Sequence, residues 1–301
     1  MSALFVKSLS KAQRVGLFDS GLGGLTVLSS LLSKPDLKEK EFLYLGDTNR
    51  CPYGSRPYEE IKLFVNQLAE WLVQEGADAI VMACNTSAAL VGVEMKVVSP
   101  VPVYNLLDIT AEYIKAIGFE RVGIISTETT ARTKAFSKAI AKAKSPASVI
   151  EFGCPELVPV VENGLANSKK AEEALMPYVR ELVRQDVEAI VFGCTHYPFL
   201  RAALNRTIRK LTDKTIVAID PSEILASELS VYKNGFNHPF DLSGLKVSLA
   251  TTGNAARFAE KAAILLNQDA SKMNVRAVRL ETEVAEEKAP AVGTISPAPI
   301  P

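Results

Sequence analysis

The chain is poor in the residues that build metal centres and disulfide frameworks. It has two histidines, His196 and His238, and four cysteines, Cys51, Cys84, Cys154 and Cys194, with no C-x-x-C pair among them. Thiols spaced so widely argue against a zinc ribbon and against a disulfide scaffold. Residues 1–10 carry Lys7 and lack a sustained apolar run with a small-residue cleavage site. No secretory leader is therefore expected, and the thiols are expected to stay reduced in the cytoplasm. No apolar run approaches the length of a membrane span. A surplus of one charge is missing too: 34 Lys and Arg balance 34 Asp and Glu, which leaves no net field to draw a nucleic acid. That balance favours a small-molecule partner. At 301 residues the chain can bury the cores of two domains without staples.

What is present is a repeat. Residues 77–86 read ADAIVMACNT and residues 187–196 read VEAIVFGCTH; each is an apolar run of strand length that ends in a cysteine and a polar pair. Superposed, they put Cys84 on Cys194. Two further echoes keep the same order: RVGLFDS at 14–20 with RVGIIST at 121–127, and Cys51-Pro52 with Cys154-Pro155. Ordered echoes of this kind indicate an internal duplication of βα units. The expected fold class is α/β, with two pseudo-symmetric lobes, each a mostly parallel sheet flanked by helices, and the active site in the cleft between them.

A strand over 15–18 runs into Asp19-Ser20-Gly21-Leu22-Gly23-Gly24 and then an amphipathic helix over 25–32. The glycines miss the G-x-G-x-x-G spacing and no G-K-[ST] follows, so a loop offering amides and the Asp19 carboxylate fits better than a nucleotide cradle. A second strand over 42–45 leads to a loop that proline and glycine fix around Tyr53. Ile61, Phe64, Val65, Leu68, Trp71 and Leu72 stand at helical spacing in a helix over 58–75, which makes Trp71 a core residue. Asn85, Thr86 and Ser87 open a helix, a short strand follows at 103–104, and a helix over 109–117 stops at Gly118. In the second half, a helix is expected over 129–144, a strand over 149–152, a segment 155–164 passing Glu156 and Glu162, and a helix over 169–184. Strands over 216–219, 247–250 and 275–279 are read as completing the first sheet. The first lobe would then be discontinuous, 12–108 plus 218–282, around a second lobe of 109–217. The alanine- and proline-rich residues 283–301 are expected to be a disordered tail.

Ligands of open parallel sheets bind beyond the carboxyl ends of the strands. The polar clusters Asp19-Ser20, Pro52-Tyr53-Gly54, Cys84-Asn85-Thr86, Glu162 and Cys194-Thr195-His196 all sit at such ends. A thiol can serve as a general base when helix N-termini or cations lower its pKa, and as a general acid when protonated. One thiolate could take a proton from a carbon acid while a thiol on the opposite face returns one, inverting the centre. The carbanion would be stabilised by oriented amides and hydroxyls, for which Ser20, Asn85, Thr86 and Thr195 are placed. Structural burial is the commoner fate of a lone cysteine, and Cys51 and Cys154, each before a proline, are read as packing thiols. A metal held by Cys84, Cys194 and His196 lacks an evident fourth ligand, and His238 reads as a loop residue.

These residues resemble the glutamate racemases of the aspartate/glutamate racemase superfamily, which use no cofactor. The resemblance runs from about Arg14 to Leu266 and rests on five motifs in order: FDSGLGGLTVL at 18–28, GDTNRCPYGSR at 46–56, MACNTS at 82–87, VPVVENG at 158–164 and GCTHYPFL at 193–200. It implies interconversion of L- and D-glutamate for peptidoglycan precursors. It implies Cys84 and Cys194 as paired acid and base, Cys84 for the D-enantiomer's α-proton and Cys194 for the L-enantiomer's. Asp19 would assist Cys84, and His196 with Glu162 would assist Cys194. Substrate would be held by Asp19, Ser20, Pro52, Tyr53, Gly54, Asn85, Thr86, Thr195 and His196, with no cofactor, metal, nucleic acid or membrane, and with a homodimer as the family's common assembly. The chain departs from the pattern at Cys51, at Asn105-Leu106-Leu107-Asp108 and at Asn254, where an aspartate is common. Two other functions compete: racemisation of aspartate or another acidic amino acid, and non-catalytic binding of a metal or anion between two lobes.

Overall fold

The structure, a computed structural model, describes residues 11–37, 39–230, 246–266 and 268–280. The expected tail at 283–301 and His238 lie outside the described residues. Among the described residues, ten strands form two sheets. The first has the order β10-β9-β2-β1-β3-β4, from β1 (Arg14–Asp19), β2 (Glu41–Gly46), β3 (Ala79–Met82), β4 (Val103–Asn105), β9 (Val247–Thr251) and β10 (Val275–Ala277). The second has the order β6-β5-β7-β8, from β5 (Arg121–Ser126), β6 (Ser148–Gly153), β7 (Ala189–Gly193) and β8 (Val217–Ile219). Adjacent strands are parallel throughout. Between them run α1 (Leu25–Leu32), α2 (Tyr58–Gln74), α3 (Asn85–Val98), α4 (Leu106–Ile117), α5 (Glu128–Arg132), α6 (Ala135–Lys142), α7 (Leu157–Glu162), α8 (Lys169–Arg184), α9 (Arg201–Arg209), α10 (Pro221–Leu229) and α11 (Ala255–Leu266).

The duplication is visible strand by strand. The order β2-β1-β3-β4 reappears as β6-β5-β7-β8, and Val15 faces Ala79 in one sheet as Val122 faces Ala189 in the other. The repeated glycine of the RVG echo has a packing reason. A Cβ on Gly16 would lie 3.2 Å from Leu72 of α2, and one on Gly123 would lie 2.6 Å from Leu182 of α8. In both halves the helix that leads into the cysteine-bearing strand, α2 before β3 and α8 before β7, lies directly on that backbone.

Strands β1, β3 and β7 are apolar on both faces and almost wholly buried, as strands of a parallel sheet covered by helices must be. The helices show the signals that start and stop them. In α2, Ile61, Val65, Leu68, Ala69 and Leu72 form the buried stripe, with Glu59 and Glu60 in the first turn where the helix dipole favours anions. Asn105 caps α4 by accepting from the Asp108 amide at 2.9 Å, and Gly118 closes it at φ 83°.

Three expectations change. The strand near 216–219 does not complete the first sheet. It pairs with β7 as β8, because after β7 and a crossover helix it occupies the place β4 holds beside β3. The late strands β9 and β10 do extend the first sheet, from β2 outward. The single helix expected over 129–144 is two, α5 and α6. Thr133 ends the first, its hydroxyl donating to the Thr130 carbonyl at 2.8 Å, and Lys134 turns left-handed at φ 53° so that Phe136 and Ile140 can be buried. Within 155–164 the chain forms α7, which tolerates Pro159 because it falls in the first turn.

Lys134 yields a prediction. A β-branched residue is the worst fit for left-handed backbone, so Lys134→Val should lower the free energy of unfolding by about 1–2 kcal/mol, and Lys134→Gly should not. Denaturant unfolding of both variants checks this; equal stability of the two would contradict the strain assigned to this joint.

Candidate active site

The carboxyl ends of β1, β3, β5 and β7 face a common cavity of about 920 Å³ between the two sheets. Cys84 reaches it from the first sheet, at the N-terminal end of α3 directly after β3. Cys194 reaches it from the second sheet, directly after β7. Both are buried, 5% and 6% exposed, yet both line the cavity. The register echo thus places the two thiols in one chamber from opposite halves of the duplication.

Each thiol has a distinct electrostatic neighbourhood. The Cys84 thiol donates to the Ser20 hydroxyl at 3.6 Å. Burial, and next the Asp19 carboxylate, push its pKa up to about 11, against the pull of the Ser87 amide and the Ser20 hydroxyl. At neutral pH Cys84 is a thiol. Cys194 Sγ lies 3.8 Å from His196 Nδ1, and His196 Nε2 lies 3.4 Å from Glu162 Oε1, an ionic contact without hydrogen-bond geometry. Burial alone would keep His196 neutral; the Cys194 sulfur, Glu162 and Asp19 outweigh it and raise its pKa to about 10. A cation therefore sits beside Cys194 at neutral pH. Contact with His196 in turn holds the Glu162 carboxyl below its ordinary range.

Asp19 stands one layer behind the cavity wall, fully buried. Burial raises its pKa, while the His196 charge and the Gly21 amide, which donates to Oδ1 at 2.8 Å, oppose that rise. Its Oδ2 accepts from the Thr195 hydroxyl at 3.2 Å, and the Thr195 carbonyl accepts from the Thr26 hydroxyl at 3.1 Å. The glycines of the first loop make this contact possible. A Cβ on Gly23 would lie 2.3 Å from Thr195 Oγ1 and 2.7 Å from His196 Nδ1.

The loop after β2 is pinned from below. Buried Asp47 accepts from Arg50 Nε at 2.7 Å, from the Thr252 hydroxyl at 2.7 Å and from the Tyr53 hydroxyl. Tyr53 is thus held with its ring in the core and lines the cavity. Pro52 and Gly54 line the cavity beside it, and the Thr129 hydroxyl donates to the Gly54 carbonyl from the opposite lobe. A second bridge joins the lobes at Thr86 Oγ1 and Thr127 Oγ1, 3.0 Å apart. Asn85 is 3% exposed and lines the cavity, with neither Oδ1 nor Nδ2 hydrogen-bonded. Buried amides without partners are uncommon, and one facing a cavity is suited to a polar ligand.

Of the residues expected from the sequence, Ser20, Pro52, Tyr53, Gly54, Cys84, Asn85, Thr86, Glu162, Cys194, Thr195 and His196 all line the cavity. Asp19 acts on it only through Thr195, Gly21 and its charge. Cys154 is a packing thiol, fully buried, with Sγ donating to the Phe152 carbonyl at 3.7 Å. Cys51 is not only that: it lines the cavity, half-buried, its pKa pushed up to about 12 chiefly by burial. Thr127 and Glu128 were not singled out by the sequence, although the 14–20 and 121–127 echo puts Thr127 at the place of Ser20. Among the described residues, no group of three or more His, Cys, Asp or Glu stands close enough to hold a metal ion, and no helix is long and apolar enough to cross a membrane.

Known proteins of one family resemble this chain in sequence and fold. A family described as Asp/Glu/Hydantoin racemase matches residues 27–229. The chain is 37% identical over 226 residues to a glutamate racemase of Trichodesmium erythraeum, covering 74% of this chain and 81% of that one. Among solved structures it resembles glutamate racemase RacE1 of Bacillus anthracis, with a TM-score of 0.76, 28% identity and coverage of 89% and 98% of the two chains. It also resembles the glutamate racemase of Thermus thermophilus in complex with β-chloro-D-alanine, with a TM-score of 0.71, 31% identity and coverage of 90% and 98%. The chain belongs to the Asp/Glu/hydantoin racemase family. Its activity is that of an amino-acid racemase.

Two predictions follow from the packing and charge of the site. Gly23→Ala should cost at least about 100-fold in racemase kcat/KM, because the new methyl must displace Thr195 and His196 and reacting groups tolerate little misplacement; a variant of normal rate would contradict the close approach. By NMR, the His196 imidazole should remain protonated at neutral pH and titrate toward about 10. Glu162→Gln removes an anion that favours the cation, so its midpoint should fall. Titration at an unperturbed value near 6.5, unchanged in the variant, would contradict the assignment.

Proposed function

We propose that the protein racemises glutamate without a cofactor, with Cys84 and Cys194 as the two acid/base groups. The observation that carries this reading is the pair of thiols lining one cavity from the two sheets. In the L-to-D direction the Cys194 thiolate, with His196 as its counter-ion, removes the α-proton, and the Cys84 thiol delivers its proton to the opposite face of the carbanion. Cys84 is left as thiolate and Cys194 as thiol. The reverse reaction starts from that state, and Ser20 and the Ser87 amide stabilise the Cys84 anion. For a carbanion held in one orientation, inversion requires a proton carrier on each face.

The carbanion is stabilised by oriented hydroxyls and amides in a site that excludes water. Asn85 supports this role with both polar atoms unpaired, and Thr86 and Thr195 flank it at the strand ends. Asp19 and the Glu162–His196 pair act as positioning and charge-setting groups. D-Glutamate made in this way would supply peptidoglycan synthesis from a soluble, cytoplasmic enzyme, with a homodimer as its expected assembly. The substrate is read as glutamate rather than aspartate because relatives 37% and 33% identical to this chain are named as glutamate racemases.

The test incubates the purified protein with L-glutamate in deuterated water without added cofactor, and follows optical rotation together with α-deuterium. Rotation should decay to zero with deuterium incorporation. Cys84→Ala and Cys194→Ala should each lose at least about 100-fold in racemisation rate, the scale of a general acid or base. Unchanged rotation with the wild type, or undiminished racemisation by either variant, would overturn the proposal. Faster turnover of aspartate than of glutamate would reassign the substrate.

A further inference from the structure

Arg257 and Lys261 stand four residues apart on α11 and so share one face of it. Both line the cavity, Arg257 exposed and Lys261 half-buried, beside Gly253 and Asn254 at the start of the same helix. Asn254 caps the helix, its Oδ1 accepting from the Arg257 amide at 2.9 Å. Among the described residues that line the cavity, these two are the only lysine or arginine, and the acidic ones are Glu128 and Glu162. No ion pair occupies either side chain among the described residues, although both lie close enough to Glu162 to favour its ionised form.

An α-amino dicarboxylate carries two negative charges and one positive at neutral pH. The inner wall offers it hydroxyls and amides, from Ser20, Asn85, Thr86 and Thr195, and these hydrogen-bond carboxylates without carrying charge. Its fixed charges are the His196–Glu162 pair and Asp19 behind the wall. Nothing in that inner set attracts an anion over distance. Two cations on the rim of a cleft with low-dielectric walls would do so, since such clefts focus the field.

We propose that Arg257 and Lys261 form an anion-recruiting subsite, one that takes a carboxylate of the incoming acidic amino acid and selects dicarboxylates over neutral amino acids. This inference rests on the reading of the protein as a racemase of an acidic amino acid. The two cations touch no reacting atom; they raise the occupancy of the cavity and leave the proton transfers unchanged.

The test compares wild type with the double variant Arg257→Gln, Lys261→Gln, and with Arg257→Lys, Lys261→Arg, which keeps both charges. The neutral double variant should raise KM for glutamate roughly tenfold, at the lower end of what steering and local concentration supply, with kcat unchanged. Wild-type KM should rise as KCl is increased from about 10 to about 300 mM, because a shorter Debye length screens the rim, and the neutral variant should respond weakly. The charge-conserving variant should keep the wild-type KM and salt response. Equilibrium binding of glutarate, a dicarboxylate with no α-amino group, reads the same side chains without turnover and should weaken in parallel. A neutral variant with wild-type KM, salt response and glutarate affinity would overturn the inference, as would loss of kcat at constant KM. Glutarate binding that depends on the two cations in a protein that does not racemise glutamate would leave the subsite standing and overturn the proposed function instead.

Discussion

Thr195 holds the two halves of the molecule together at the point where chemistry is expected. Its hydroxyl donates to Asp19, its carbonyl accepts from Thr26, and it lies on the bare backbone of Gly23. The next residue back is Cys194 and the next forward is His196. The loop that carries the second thiol is therefore docked directly onto the glycine-rich loop of the first sheet. The contact does not act alone: buried residues of both sheets, among them Val15 and Ile80 of the first and Val122 and Val191 of the second, belong to one continuous apolar core. Thr129 on the Gly54 carbonyl and Thr86 on Thr127 join the halves at the same cavity.

The same contact sets the charges. Asp19 accepts the Thr195 hydroxyl and also lies near enough to both His196 and Cys84 to act on each in opposite senses, favouring the imidazolium and disfavouring a Cys84 thiolate. The duplicated scaffold is thus symmetric in its strands but not in its electrostatics. One thiol is neutral with hydroxyl company; the other has a cation at 3.8 Å backed by a carboxylate. A racemase interconverts mirror-image substrates with a chiral protein, so identical surroundings for the two thiols are not required. The proposed mechanism requires only that each can hold and release a proton.

Much of this was legible in the sequence because duplication writes itself into strand-length strings. The two cysteine strands, the RVG echo and the order of polar clusters located both sheets and all the expected wall residues except Asp19, which is set one layer back by the turn at Gly21. The strand at 217–219 was misassigned because it is only three residues long and its partner can be recognised only by carrying the repeat one unit further, past α9 to the place of β4. The break at Lys134 was invisible because the basic and apolar residues of 129–144 keep helical spacing through it. Cys51 was read as a packing thiol although the loop that carries it, with Pro52-Tyr53-Gly54, was placed at the site. The α11 cations were missed for a different reason: their place on the cavity depends on β9 pairing beside β2, with α11 directly after it, a long-range pairing that no local pattern encodes.

The central claim is stereochemical: two sulfurs must flank one carbon. A crystal structure of the wild-type protein with bound glutamate tests it most directly. The account predicts Cys84 Sγ and Cys194 Sγ on opposite faces of the α-carbon, each within about 4 Å of it, close to the separation of groups poised to react. Both sulfurs on one face, or either one turned out of reach of the α-carbon, would contradict it.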